Sequence, residues 1–222
     1  SRRLRLEWLT CGDRAGLLAS PGFDFCSSLL GIWHAGGVAV PLCVAHPPAE
    51  LAHSLAEADC SLALGSGARA QALAEVASSQ GRRFVELVHA SETPLDASDA
   101  PVDAPSDDAL IIFTSGTTGA PKGVVLTHDN LRAQASMLVD AWAWRPSDRI
   151  LHILPLHHLH GLGNKLLCAL WAGASVAFSP PAPAEVRRRR RRHRRRRRPP
   201  PPPPPPPPPF LSMIAGVASP RA

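Results

Sequence analysis

Apolar residues follow two patterns along the first 180 residues, and the two patterns alternate. Short runs such as 15–19 and 38–42 are apolar throughout, which is typical of strands that are buried on both faces of a sheet. Between them, apolar residues recur every three or four positions, as Phe25, Leu29 and Ile32 do after Asp24. Because strands and helices alternate, the pattern predicts an α/β fold with a predominantly parallel sheet flanked by helices.

Glycine and proline mark the ends of these elements. Gly36-Gly37 follows the first helix, and Pro47-Pro48 begins the second. The apolar residues within 1–14 fit neither helical nor strand spacing clearly, and we predict the end of a helix there. Residues 91–108 carry six Asp or Glu and three Pro, which predicts an acidic surface connection. The other predicted strands are 61–64, 83–88, 109–113, 124–126, 149–154 and 174–178, and predicted helices begin near residues 24, 47, 68, 127 and 163.

Residues 113–123 concentrate groups that hold phosphate, and they offer little to a hydrophobic core. The glycines let backbone N–H groups approach an anion, the hydroxyls add donors, and the lysine adds a mobile positive charge. A predicted strand lies on either side of the stretch. The predicted phosphate-binding residues are Thr114, Ser115, Gly116, Thr117, Thr118, Gly119 and Lys122.

Two familiar nucleotide-binding motifs do not fit this loop. A Walker loop needs Gly-x-x-x-x-Gly-Lys-Ser/Thr at the start of a helix, whereas Lys122 precedes Gly123 and a predicted strand. The dinucleotide fingerprint Gly-x-Gly-x-x-Gly is absent from the sequence as well. A Ser/Thr/Gly linker is the alternative, but Pro-Lys-Gly after the second Thr-Gly favours a phosphate loop.

Three histidines, His157, His158 and His160, lie within residues 154–161, directly after a predicted strand. Histidine is a common zinc ligand, but no carboxylate or cysteine lies at ligand spacing, and we predict no metal here. A loop of solvated histidines is the alternative that residue types alone leave open.

Residues 113–123 read Phe-Thr-Ser-Gly-Thr-Thr-Gly-Ala-Pro-Lys-Gly. They resemble, at every position, the signature of the adenylate-forming superfamily, which contains the acyl-CoA synthetases and luciferase-like enzymes. Residues 35–42 resemble that family's Ala-Gly-Gly-x-x-x-Pro-Leu run, and residues 154–161 its Leu-Pro-x-x-His-x-x-Gly run. Three matches in family order are more specific than any one of them.

The resemblance implies a reaction and roles for particular residues. It implies that the loop handles the β- and γ-phosphates of ATP while a carboxylate attacks the α-phosphorus. The resulting acyl-adenylate passes to CoA as a thioester, and Mg²⁺ neutralises the phosphates. The resemblance gives Lys122 and His158 catalytic roles, and it places His158 and His160 against a small carboxylic acid substrate.

A narrower resemblance is to the malonyl-CoA synthetase branch of the superfamily. It rests on His160-Gly161, on Trp142-Ala143-Trp144 and on residues 166–171. It implies malonate or methylmalonate as the substrate and a mitochondrial location, with a cytoplasmic location as the alternative. No targeting segment is visible, and because the sequence starts with Ser1 we expect it to come from inside a longer or processed protein.

One tract accounts for the net charge of +6 and for much of the proline, which numbers 25 residues. Eleven arginines, from Arg187 to Arg198 with His193 among them, precede eleven consecutive prolines, Pro199 to Pro209. The residues before Arg187 hold 12 basic and 18 acidic side chains, a net charge of −6. The arginines predict disorder and non-specific, salt-dependent binding to nucleic acid, which is otherwise not an expected partner. The prolines predict polyproline II.

The remaining composition limits compartment and membrane contact. Five cysteines without metal-like spacing predict reduced, mostly buried thiols in a cytosolic or organellar interior. The apolar stretch 166–178 is broken by Gly173 and Ser175 and is too short to span a bilayer, so we predict no membrane span.

We divide the chain into a partial adenylation domain at 1–180, an Arg/Pro tract at 181–209 and an unassigned tail at 210–222. After Phe178 we find no adenine-binding motif, ribose-binding aspartate or C-terminal catalytic lysine of the family. We therefore expect little or no ligase activity from this chain alone. The alternative is a non-catalytic protein whose tail binds nucleic acid or proline-recognising domains, and an aberrant gene model would also explain the tract.

Overall fold

The computed structural model describes residues 9–87, 107–114 and 121–179, which all belong to one compact unit, Ser1–Ser179. The predictions for the Arg/Pro tract and for most of the acidic connection lie outside the described residues. The strands are β1 (Arg14–Leu18), β2 (Val38–Pro41), β3 (Leu62–Gly65), β4 (Arg83–Glu86), β5 (Asp108–Thr114), β6 (Lys122–Thr127), β7 (Arg149–His152) and β8 (Ser175–Phe178).

The helices occupy the segments between these strands. The longer ones are α1 (Phe23–His34), α2 (Pro48–Glu57), α3 (Ala70–Ser79) and α4 (His128–Ala141), with a 3₁₀ turn at Gly67–Arg69. A last helical segment consists of α5 (Leu159–Gly161), a π-helical turn (Leu162–Leu167) and α6 (Cys168–Trp171).

Six of the strands form one sheet in the order β4-β3-β1-β2-β5-β6. Every neighbouring pair is parallel except β5 and β6, which are antiparallel. Strands β7 and β8 form a separate parallel pair. The predicted α/β class with a predominantly parallel sheet is confirmed.

Two layers of helices cover the main sheet, because successive strand residues point to opposite faces. Leu17 of β1 belongs to the core that includes Leu29 of α1, whereas Leu18 belongs to the core that includes Leu55 of α2. All four side chains are fully buried or nearly so, and burying each contributes about 1.5–3 kcal/mol. Gly16 allows the close approach of α2, since a Cβ there would lie 2.4 Å from Leu55 Cδ2.

The prediction of a helix end over residues 1–14 is wrong for the part that is described. Residues 9–13 contain a turn, and Arg14 already opens β1. The Asp13 carboxylate accepts hydrogen bonds from the backbone N–H (2.8 Å) and hydroxyl (2.9 Å) of Thr10. Asp13 O in turn accepts from Val38 N at 2.8 Å, which commits this segment to the sheet.

The last two predicted helices are present, and only the start of the second differs from the prediction. Thr127, one of the two predicted caps, begins α4 with a capping box: its hydroxyl accepts from Asn130 N, and its own N–H donates to Asn130 Oδ1, both at 3.1 Å. The last helical segment begins at Leu159 rather than Gly163.

No helix among the described residues is both long and apolar enough to cross a membrane.

Candidate functional site

The predicted phosphate loop connects two antiparallel strands, which explains why a strand follows its lysine. Thr114, the last residue of β5, pairs with Lys122, the first of β6. The Thr114 hydroxyl donates to the Lys122 carbonyl at 3.4 Å, and the Lys122 side chain is exposed. Ser115, Gly116, Thr117, Thr118 and Gly119 lie outside the described residues, so the structure places only the two ends of the predicted set.

Helix α2 holds both ends of this hairpin through one histidine. His53 Nε2 donates to the Pro121 carbonyl at 3.2 Å, and the carbonyl can only accept. The ring of His53 also lies 6.4 Å from the ring of Phe113 on β5, centroid to centroid. The hairpin is thus attached to α2, a helix that connects two other strands, β2 and β3. His53 was not recognisable from the sequence, because nothing in its local pattern separates it from other half-exposed helix residues.

Gly123, the last glycine of the loop motif, has a packing role. It pairs with Phe113 across the two strands, and a Cβ at Gly123 would lie 2.8 Å from Ile111 Cγ2. The last glycine of the Pro-Lys-Gly motif therefore leaves room on β6 for the side chains of Ile111 and Phe113, next to Lys122.

A second part of the site is the connection between β7 and α5, which contains the three predicted histidines. The carbonyl of Pro155 lies so close to Gly161 that a Cβ there would be 2.2 Å from it. Gly161 O also accepts a hydrogen bond from His152 Nε2 at 2.9 Å. His158 is the N-cap of α5, with φ −120° and ψ 141°. The glycine of the Leu-Pro-x-x-His-x-x-Gly run is thus required by close packing.

The histidine connection meets the loop that follows β2. The ring centroids of His46 and His157 lie 6.1 Å apart, and those of His157 and His158 lie 4.1 Å apart. His46 Nε2 lies 3.3 Å from a carboxylate oxygen of Glu50, and the Arg69 guanidinium donates to the His46 carbonyl. Three imidazoles from two distant segments therefore form a row. Within the described part of the chain, no group of three His, Cys, Asp or Glu side chains is arranged to hold a metal ion.

Burial, followed by the neighbouring His158 and His46, lowers the pKa of His157 to about 4. Water solvates a charged imidazole better than this half-buried position does, and two further imidazoles oppose a positive charge here. His157 is therefore neutral at physiological pH, so it can offer one donor and one acceptor but no charge.

His158 and His160, which sequence analysis assigned to one substrate pocket, have different neighbours. His158 lies against His157, whereas His160 Nδ1 accepts from the Asn164 amide at 3.3 Å. The Asn164 carbonyl oxygen in turn accepts from the Gln134 amide on α4. Both imidazoles are exposed, so both remain accessible to a ligand.

The segments that follow β2 and β5 leave the main sheet at one edge. Strands β2 and β5 are parallel neighbours, with Ala39 opposite Leu110, so the segments after them emerge on the same side. Ligands in open α/β sheets bind outside the carboxyl ends of the strands. The ends of the phosphate loop and His46 lie at that edge, where a cleft can form.

A family model for AMP-binding enzymes matches residues 1–194. The chain belongs to the AMP-binding enzyme family. Within this family the sequence is similar to malonate–CoA ligases. The enzyme of Arabidopsis thaliana is 41% identical over 179 residues, which are 76% of this chain and 29% of that protein. The mitochondrial malonate–CoA ligase of Homo sapiens is 39% identical over 196 residues, 81% of this chain and 34% of that protein.

Solved structures agree with this family assignment. The crystal structure of ATP-bound MatB from Rhodopseudomonas palustris superposes with a TM-score of 0.69 at 29% identity, covering 84% of this chain and 38% of MatB. The chain thus spans about a third of the length of the AMP-binding proteins that it matches. The fold and the family expected from residues 113–123 are confirmed.

Three histidines of this AMP-binding chain contact the candidate site, although the sequence patterns did not identify them. His46, His53 and His152 each contact a segment that a motif had identified. His152 could have been noticed, because it lies inside a predicted strand, where a histidine that becomes buried needs a hydrogen-bond partner. The other two carry no such signal.

No disulfide joins any of the five cysteines, and only Cys60 and Cys168 are buried. The expectation of mostly buried thiols is therefore wrong for Cys11, which is exposed, and only partly right for Cys26 and Cys43. Burial raises the pKa of Cys26 to about 11 and that of Cys60 to about 12. Thiols of this kind are poor nucleophiles at neutral pH, so the buried cysteines serve packing.

Proposed function

We propose that this chain provides the ATP-phosphate loop and part of the acid pocket of an acid–thiol ligase. The reaction is the ATP-dependent conversion of a carboxylic acid, malonate or methylmalonate, to its CoA thioester through an acyl-adenylate. The hairpin closed by Thr114 and Lys122 is the observation that carries the proposal, because it presents an exposed lysine beside a glycine and hydroxyl loop. The similarity to malonate–CoA ligases supports the choice of acid.

The phosphate loop acts by charge and hydrogen bonding. Lys122 places its ammonium where negative charge builds on the leaving pyrophosphate, and the hydroxyls donate to the phosphate oxygens. Gly116 and Gly119 keep the loop free of side chains that would block the anion. Hydroxyl and phosphate oxygens suit Mg²⁺, which neutralises phosphate charge when bound. The hydroxyl donors are Thr114, Ser115, Thr117 and Thr118, and Thr114 must exchange its long bond to the Lys122 carbonyl for one to phosphate.

The chemistry proceeds in two displacements. In the first, a carboxylate oxygen bonds to the α-phosphorus, and pyrophosphate leaves with the electrons of the broken phosphorus–oxygen bond. In the second, the CoA sulfur bonds to the acyl carbon, AMP leaves with the electrons of the acyl–oxygen bond, and the thiol proton passes to solvent. His158 and His160 line the acid pocket, where an imidazole N–H donates to a carboxylate oxygen of the substrate.

The test compares the two lysines of the sequence in the full-length ligase that contains this chain. Lys122→Ala should lower the rate of acid-dependent pyrophosphate release roughly 100-fold, the size of effect that follows loss of one transition-state donor. Lys165→Ala is the matched control, since the Lys165 ammonium lies 4.2 Å from the centroid of the Trp142 ring and serves packing. Equal rates for wild type and Lys122→Ala would remove Lys122 from the mechanism.

The chain by itself should form little or no malonyl-CoA, since the phosphate loop then holds a hydrated triphosphate without base and ribose contacts. Solvated charge contacts of that kind are weak. Malonyl-CoA formation by the purified 222-residue chain with ATP, Mg²⁺ and CoA would overturn this expectation. We also propose a mitochondrial location, which the human relative supports.

The second candidate is a non-catalytic binding protein, favoured by the eleven arginines and eleven prolines of the tail. A cationic segment of this density binds nucleic acid through phosphate contacts that weaken steeply with salt. Retention of the chain on RNA or heparin that disappears when residues 187–209 are deleted would support it. Pyrophosphate release that survives the same deletion in the full-length protein would support the ligase.

A further inference from the structure

His152 lies at the carboxyl end of β7 and is almost completely buried, with 3% of its surface exposed. It stands opposite Phe178 in the pairing of β7 with β8, and the two ring centroids lie 5.3 Å apart. Among the described residues only three polar or charged side chains are buried, and His152 is the largest and the most buried of them. A buried imidazole of this kind needs a reason.

The two ring nitrogens of His152 are in different situations. Nε2 lies 2.9 Å from Gly161 O, and since a carbonyl can only accept, Nε2 carries the proton. Nδ1 is then an acceptor, and it is buried without a hydrogen-bond partner in the described part of the chain. An unpaired buried acceptor destabilises a folded protein, so packing alone would favour leucine or phenylalanine here. The bond from Nε2 must account for the histidine.

That bond joins the two ends of the segment that carries the candidate acid-binding histidines. It joins residues nine positions apart, and His157, His158 and His160 all lie between them. Within this segment, the Pro155 carbonyl lies against Gly161, where no Cβ fits. On the outside, His157 meets His46 with 6.1 Å between ring centroids. The histidine connection is therefore held from the β7 side and from the β2 side.

We propose that His152 is a positioning residue, whose buried Nε2–H holds Gly161 and thereby fixes the rings of His157 and His158 beside His46. It touches no substrate itself. The consequence for catalysis rests on the proposed function, because only there do His158 and His160 bind the acid. The positioning itself is independent of any activity.

NMR of the 222-residue chain tests the hydrogen bond from His152 to Gly161 directly. Long-range ¹H–¹⁵N spectra of the imidazoles should find His152 as the Nε2–H tautomer with a slowly exchanging proton. The Nδ1–H tautomer would overturn the proposal, because Nε2 then has no proton to donate. This measurement needs no variant, so it can overturn the proposal even if substitutions at this buried position prevent folding.

Variants test whether the bond fixes the neighbouring rings. His152→Gln keeps an amide donor at about the reach of Nε2, whereas His152→Asn is too short and His152→Leu has no donor. The readout is the pKa of His157, about 4 when the ring is packed against His46 and His158. We expect it to stay low in His152→Gln and to rise towards 6.5 in the other two variants.

His53→Leu is the control, because His53 contacts Pro121 and Phe113, and the pKa of His157 should not change. An unchanged pKa of His157 in folded His152→Leu or His152→Asn would overturn the proposal. In the full-length ligase, His152→Leu should raise the KM for malonate about 10-fold and leave the KM for ATP unchanged. If the pKa of His157 moves while neither KM does, the positioning stands and the assignment of the acid pocket fails.

Discussion

The imidazole of His53 on α2 donates a hydrogen bond to the carbonyl of Pro121 at 3.2 Å, one residue before Lys122. The two residues are 68 positions apart in the chain. Phe113, at the other end of the same hairpin, lies against the same ring. A single helix residue thus sets the position of both strands that lead into the phosphate loop, although it belongs to none of the motifs.

His53→Ala should weaken ATP binding by the full-length ligase. One hydrogen bond contributes about 0.5–1.5 kcal/mol, which corresponds to a roughly 2- to 10-fold higher KM for ATP. The KM for malonate should stay the same, and His53→Gln, which keeps an amide donor, should recover part of the loss. Steady-state kinetics with each substrate varied in turn would measure this. A selective change in the malonate KM would show that His53 acts elsewhere.

Gly161→Ala should destabilise the chain by about 1–3 kcal/mol, the usual cost of forcing extra volume into a packed site. The added Cβ would lie 2.2 Å from the Pro155 carbonyl oxygen, so the backbone of the turn must shift. Urea unfolding of the 222-residue chain measures the free energy difference. Gly22→Ala is the control, because the nearest atom to its Cβ is Ser20 O at 3.9 Å. Similar losses in both variants would contradict this account of Gly161.

Stability should fall as the pH drops from 6.5 towards 4, and His157 should contribute to the fall. Its folded-state pKa, about 4, lies below the ordinary value of 6.5, so between these values the unfolded chain binds more protons. The contribution is fully present above pH 6.5 and is lost as the pH falls through the folded pKa. Unfolding free energies measured across this range should show a smaller slope for His157→Gln.

Part of the slope should remain in that variant, because burial also lowers the pKa of His128. His128→Gln should therefore remove a further part of the pH dependence. A slope that is identical in wild type and both variants would mean that neither imidazole is held in the neutral form.

The five cysteines should react with iodoacetamide at very different rates in the folded chain. Cys11 is exposed and should be alkylated first, whereas Cys60 is buried with a pKa of about 12 and should be protected. Cys168, whose pKa burial also raises, should be protected as well. Mass spectrometry of digested samples gives the order, and unfolding in urea should make all five equally reactive. Rapid alkylation of Cys60 in the folded chain would contradict its burial.

Local sequence was enough to predict most of the elements and the family. The alternation of apolar runs with helical spacing depends on neighbours within a few residues, so β1 to β3 and α1 to α3 were recognisable. The glycines and hydroxyls of residues 113–123 likewise reveal their chemistry by composition alone. The errors were local too: Thr10 and Asp13 form a turn where a helix end was predicted.

The tertiary structure alone decided how the site is held. The contacts of His53 with Pro121 and of His46 with His157 join segments far apart in sequence, and no periodicity encodes them. The bond between His152 and Gly161 joins residues only nine positions apart, but it depends on the burial that β8 provides. The sequence by itself determined which groups can hold phosphate and which elements carry them, because both follow from residue type and spacing. Which side chains position those groups was set by packing between elements, which only the folded chain brings together.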